Sequence, residues 1–149
     1  MKLLFIGDIN FRGQNILSYE KSKRLLEKVQ PYLDMADFRI SNLECVLVDG
    51  KNSKYSPIKK SGPHHAYAPE NICFLKALQA DVVTLANNHI GDYGEAALED
   101  TIKLLHENKF LTVGAGRNIR EAYNCCIPRR KRVLPGSVTR YCRALQIYM

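Results

Sequence analysis

Long apolar runs are missing from this chain, and the one that follows Met1 and Lys2 ends after four residues at Gly7 and Asp8. A signal-peptide core needs roughly 7–15 apolar residues and a membrane span about 20, so this run reads as a first core strand. The expectation is a cytoplasmic chain with no membrane span. No C-x-x-C pair occurs among Cys45, Cys73, Cys125, Cys126 and Cys142, which excludes the common zinc-site and redox spacings. The cysteine number is odd, and the adjacent Cys125 and Cys126 are poorly placed to bridge each other. Reduced thiols, buried or idle, are expected.

Acidic residues are absent from residues 125–149, where Arg129, Arg130, Lys131, Arg132, Arg140 and Arg143 lie. Removing those six from the 22 basic residues leaves 16 against 15 acids, so the formal charge of +7 belongs to the tail and the body is nearly neutral. A nucleic-acid-binding domain spreads its basic residues along a folded face or groove, and no nucleic-acid partner is expected. Histidine is also absent after residue 123.

With 149 residues, 46% hydrophobic and 25% charged, the chain is large enough for one hydrophobic core. Strand-like runs alternate with helical patterns, which predicts an α/β fold of βαβ units with a mainly parallel sheet. Lys2 to Ile6, Phe38 to Ile40, Val82 to Leu85 and Leu111 to Val113 are the strand candidates. Leu25, Leu26, Val29, Tyr32, Leu33 and Ala36 recur at helical spacing, with Pro31 marking a kink or restart. Pro69 opens a second helix with Ile72, Leu75 and Leu78 inward. In a third helix, Ala97, Leu98, Ile102 and Leu105 form the apolar stripe, with acids early and Lys103 and His106 late. Residues 49–63 form a polar loop, read as disordered or as a lid.

Three of the four strand candidates stop at polar residues, Asp8 and Asn10, Asn42 and Glu44, and Asn87, Asn88 and His89, and the fourth stops at Gly114, Ala115, Gly116 and Arg117. Taken alone, the group of Asn87, Asn88 and His89 either makes a turn and caps a helix or builds a site. If the strands are parallel, Asp8, Asn42, Glu44, Asn88 and His89 converge on the carboxyl edge of one sheet, where ligands collect in open α/β folds. The helix behind His89 would add positive potential there, favouring an anionic group. His64 and His65, in the polar loop, read as solvated, and His106 as a helix cap.

The segments L-F-I-G-D-I around Asp8, S-N-L-E at residues 41–44, S-G-P at 61–63, L-A-N-N-H-I-G-D-Y-G at 85–94 and V-G-A-G-R-N at 113–118 resemble, in order, the CapA family of capsule-synthesis proteins. That family, associated with poly-γ-glutamate capsules and often with the cell envelope, is similar to the calcineurin-like metallophosphoesterases. The resemblance covers roughly residues 1–123 and leaves 124–149 as an atypical basic tail. It implies a metallophosphoesterase-like half-sandwich, truncated, with Asp8, Glu44 and Asn88 as metal ligands and His89 beside the metals as the catalytic residue. Asn42, Lys60 and Asn87 would contact substrate, an anionic small molecule or polyglutamate.

The implied cofactor is one divalent metal ion or a pair; oxygen ligands suit Mn, Mg or Fe as well as Zn. The implied reaction is phosphoester hydrolysis by metal-activated water. The alternative is a non-catalytic polyglutamate-binding or assembly factor using the loop at Lys59, Lys60 and residues 61–63. Superfamily sites also draw histidines from the carboxyl-terminal half of the domain, and this chain has no histidine after residue 123. The tail reads either as truncation, which predicts an uncovered sheet edge with marginal stability or homo-oligomerisation, or as a natural basic tail with a short strand at 140–148.

Overall fold

The computed structural model describes residues 2–12 and 18–123, and the basic tail and three of the cysteines lie outside those residues. Four parallel strands, β1 (Leu3–Ile9), β2 (Phe38–Leu43), β5 (Val82–Thr84) and β6 (Leu111–Val113), form one sheet in the order β1-β2-β5-β6. Each strand neighbours the previous one of this sheet, and the helical segments lie in the connections: α1 (Tyr19–Leu26), α2 (Gln30–Asp34), α3 (Ile72–Ala77) and α4 (Gly94–Glu107), with α5 (Ile119–Tyr123) after β6. A short parallel ladder, β3 (Val46–Leu47) with β4 (Ala66–Tyr67), sits between β2 and α3. The expected α/β fold with a parallel sheet is therefore present.

Alternation along the strands divides the apolar residues between two faces. Leu4, Ile6, Ile9, Leu43 and Val83 join Leu26, Leu33, Leu75, Leu98 and Leu105 in the main core, so the helices cover one face. Leu3, Phe38, Ile40, Val82, Leu111 and Val113 form a second cluster on the opposite face. Burying each large aliphatic side chain in such a core is worth about 1.5–3 kcal/mol. Thr101, buried in α4, donates to Ala97 O (2.7 Å) and accepts from Leu47 N (3.0 Å), so its hydroxyl between α4 and β3 is satisfied.

Helix α1 starts at Ser18, whose Oγ accepts from Lys21 N (3.2 Å), and the chain restarts as α2 with Pro31 in its first turn. Pro31 lacks the N–H that a continuous helix would need, which explains the break. The apolar stripe expected here is narrower than the spacing implied: Leu26 and Leu33 are buried, while Leu25 is 57% exposed and Val29 and Tyr32 also face outward. The break rotates α2 relative to α1, so one 3.6-residue stripe no longer runs through both. Pro69 opens a 3-10 turn (Pro69–Asn71) ahead of α3, and Ile72, Leu75 and Leu78 are buried as expected.

The polar loop 49–63 adopts defined turns against α4. Tyr55 Oη donates to Asp100 (2.8 Å), Lys54 pairs with the same carboxylate, and Ile58 N donates to Asp92 O (3.0 Å). His106 bonds Thr112 Oγ1 (2.8 Å), and Asn108 Nδ2 takes the capping role on Leu104 O (2.8 Å).

Candidate functional site

A bulge in β1 sets the position of Asp8. Ile6 pairs with Ser41 and Asp8 with Asn42, so Gly7 is the extra residue. The insertion turns Asp8 onto the face that carries Asn42 and lets Ile9 return to the core opposite Leu43. Asn42 Nδ2 then donates to Asp8 Oδ1 (2.6 Å), while Asn42 Oδ1 accepts from Thr84 Oγ1 (3.0 Å) and Asn87 Nδ2 (3.1 Å). Asn87 also donates to Leu43 O (2.8 Å) and accepts from His89 N (3.0 Å). Asn42 and Asn87 thus lock the loop after β5 to the end of β2, the turn-making role open to asparagine at such a position. Asn88 is exposed and makes no hydrogen bond among the described residues.

Beside this chain lies a cluster centred on Asp92, which is 0% exposed. One carboxylate oxygen of Asp92 takes the Lys60 ammonium; the other takes His89 Nδ1 (2.9 Å) and His65 N (2.8 Å). Its neighbour His65 is 4% exposed and stacks on His89, with ring centroids 4.0 Å apart and planes 5° from parallel. The β3–β4 ladder holds His65 in place, since Val46 N donates to His65 O (3.0 Å). Around its ring stand Asn10 Nδ2 (2.6 Å from Nδ1), Glu44 O (3.3 Å from Nδ1) and Arg12 Nη2 (3.1 Å from Nε2). Asn10 Oδ1 accepts from Tyr67 Oη (2.9 Å) and Arg12 N (2.9 Å), and Asn10 Nδ2 also reaches Glu44 Oε2 (3.3 Å).

Burial pushes the Asp92 carboxyl upward, but bonds from Lys60, His89 and the His65 amide outweigh it and leave the group below the ordinary carboxylate value. It is therefore an anion that orients Lys60 and the His89 ring. For His65, burial first and the charge of His89 second lower the pKa, so the ring is neutral near pH 7. Burial, and then the charge of Glu44, raise the Cys45 thiol well above its usual range, making it an inert core group.

Asp8, Asn42, Glu44, Lys60, Asn87 and His89 all contribute to this polar edge, and Asn88 lies beside it on the exposed side of the turn. A metal pair is a different matter. Among the described residues no three His, Cys, Asp or Glu side chains lie where they could share an ion. Asp8 is bonded by the Asn42 amide and Glu44 by the Asn10 amide, so the two carboxylates serve separate partners. These residues do not by themselves fit a closed metal centre. A groove of about 900 Å³ runs along α4, β6 and α5, lined by Glu95, Glu99, Lys103, Arg117 and Glu121 among others, and none of the candidate site residues lines it.

The model of the bacterial capsule synthesis protein family PGA_cap matches residues 2–141. The chain belongs to that family. Its match continues past Tyr123 into the basic tail. The capsule biosynthesis protein CapA of Bacillus anthracis is 31% identical over 128 residues, which is 83% of this chain and 30% of that protein. A Mycobacterium tuberculosis protein named as a polyglutamine synthesis accessory protein is 33% identical over 106 residues, 68% of this chain and 27% of that protein. The PGA biosynthesis protein CapA of Bacillus subtilis is 26% identical over 120 residues, 79% of this chain and 31% of that protein. The chain therefore spans less than a third of the length of these relatives.

In this PGA_cap chain, four residues of the cluster escape a reading of the sequence. Asp92 sits inside the A-N-N-H-I-G-D-Y-G motif, three residues after His89, so its position was visible though its role was not. His65 corrects the expectation of a solvated loop histidine: pairing of β3 with β4 buries it. His64, its neighbour, is half-buried and contacts Ile58 O (2.6 Å). Asn10 and Arg12 follow the first strand and carried no spacing signal. No helix among the described residues is long and apolar enough to cross a membrane.

Proposed function

We propose that this chain acts in the synthesis of a capsule polymer of the poly-γ-glutamate type, and that its histidine edge binds an anionic group of the substrate and exchanges a proton with it. The observation that carries this is the bond from His89 Nδ1 to Asp92 (2.9 Å). A carboxylate on Nδ1 fixes the tautomer and leaves Nε2 to take or give a proton, and Nε2 has no partner among the described residues. Lys60 on the same carboxylate adds positive charge beside the ring. Phosphoester hydrolysis is the reaction class the family resemblance favours, with His89 protonating the leaving oxygen.

Metal-dependent turnover would use Asp8, Glu44 and Asn88 and requires ligands beyond the described residues, so no step is assigned to an ion. A second reading is favoured by the cations Arg12 and Lys60 at the edge: binding of polyglutamate without turnover. The test is hydrolysis of p-nitrophenyl phosphate and its bis ester by the full chain, with and without added Mn²⁺, beside binding of γ-linked polyglutamate. Turnover that falls at least a hundredfold in His89→Gln supports the hydrolytic reading. Polymer binding with no turnover selects the second, and neither activity overturns both.

A further inference from the structure

Hydrogen-bond accounting around His65 leaves one donor too many. A neutral imidazole offers one N–H and one acceptor nitrogen, while a guanidinium can only donate. Arg12 Nη2, 3.1 Å from Nε2, therefore requires Nε2 to accept and Nδ1 to carry the proton. On the other side, the Asn10 amide is fixed, because its Oδ1 accepts from Arg12 N and Tyr67 Oη and its Nδ2 faces Glu44 Oε2. Asn10 Nδ2 is thus a donor pointing at Nδ1 from 2.6 Å, and it requires Nδ1 to accept. Both demands cannot be met by one neutral ring: a proton on Nδ1 can go to Glu44 O (3.3 Å) but then faces the Asn10 donor, and protonating the ring adds a further donor. His65 is 4% exposed, so an unmet donor at its ring carries the cost of a buried polar group.

We infer that Arg12 and His65 form an oxyanion subsite, in which a carboxylate or phosphate oxygen enters between Arg12 Nη2 and His65 Nε2. Nδ1 then accepts from Asn10, Nε2 carries the proton, and both Nε2–H and the guanidinium donate to the incoming oxygen. Every donor at the ring is satisfied only when an anion is present. Arg12 is exposed and, among the described residues, its guanidinium bonds only His65, so its remaining N–H groups can take a second oxygen of the same group. His89, stacked on His65, places its proton-transferring ring next to the bound oxyanion. The subsite needs no divalent ion. It rests on the proposed reading that this edge takes an anionic group.

The full chain is titrated in EDTA with inorganic phosphate and, separately, with γ-linked triglutamate, by calorimetry and by ¹H–¹⁵N imidazole spectra. Saturable binding of at least one probe is expected, with the His65 proton moving to Nε2, a loss of at least tenfold in Arg12→Ala and only partial recovery in Arg12→Lys. Phosphate alone identifies a phosphoester source for the oxyanion, and triglutamate alone a carboxylate source. Binding that is absent, indifferent to Arg12→Ala, or dependent on added divalent cation overturns the subsite. His89-dependent turnover without Arg12-dependent binding overturns the subsite and leaves the proposed function; Arg12-dependent binding without turnover does the reverse for proton transfer.

Discussion

The imidazoles of His65 and His89 lie face to face, 4.0 Å between centroids and 5° from parallel, although 23 residues of loop, helix and strand separate them in sequence. Asp92 joins them, accepting from the ring of one and the backbone amide of the other. That carboxylate is the hinge on which both the order of the loop and the orientation of the catalytic candidate depend.

Replacing Asp92 by Ala should cost about 2–3 kcal/mol, because the Lys60 ammonium, the His89 ring and a buried amide lose a common acceptor. Urea unfolding measures the loss. Asp92→Asn should lose less stability but still disorder the His89 ring, seen as broadening of its imidazole resonances. A wild-type urea midpoint in Asp92→Ala would contradict the network.

Acid should weaken the fold in two steps. His65 has a pKa below the ordinary 6.5, so the unfolded chain binds its proton first. Its contribution is complete above 6.5 and declines as pH falls from there toward the folded value. Asp92, lowered from 3.8, keeps its contribution above that value and loses it as pH falls through the lower folded value. Urea midpoints measured from pH 7.5 to 5 should therefore decrease, and His65→Phe should flatten the slope while retaining a stacked ring. An unchanged slope in that variant would assign the acid sensitivity elsewhere.

Leu25 and Leu26 are adjacent in α1 but face opposite ways. Leu26→Ala should destabilise by about 2–4 kcal/mol through loss of core volume. Leu25→Ala should stay within about 0.5 kcal/mol of wild type. Equal losses on thermal unfolding would contradict the placement of the α1 core stripe.

Gly114 has φ +98°, and a Cβ there would stand 2.6 Å from Ala86 Cβ and 2.7 Å from Ala86 N. Both backbone strain and contact oppose a side chain, so Gly114→Ala should cost at least about 2 kcal/mol. Thermal unfolding of Gly114→Ala tests this, and Gly62→Ala, at φ +102° but with open space around it, isolates the conformational part.

The sequence by itself determined the order of the four main-sheet strands and of the helices between them, though not β3, β4 or α5, because apolar runs of period two and stripes near 3.6 are set by burial of each element's own residues. β6 was read residue for residue, and the inward faces of α3 and α4 followed from spacing alone. It also placed Asp8, Asn42, Glu44, Asn87 and His89 at strand ends, since a parallel sheet brings its carboxyl ends to one edge. The break at Pro31 was legible as a missing N–H, whereas the Gly7 bulge and the burial of His65 were decided only by tertiary structure. Both depend on a partner distant in the chain: β2 for the bulge, and the β3–β4 ladder with Asp92 for the histidine. A local pattern records which residues prefer water, but not which donor will meet which acceptor once the sheet has formed, and the chemistry of this edge lies in those pairings.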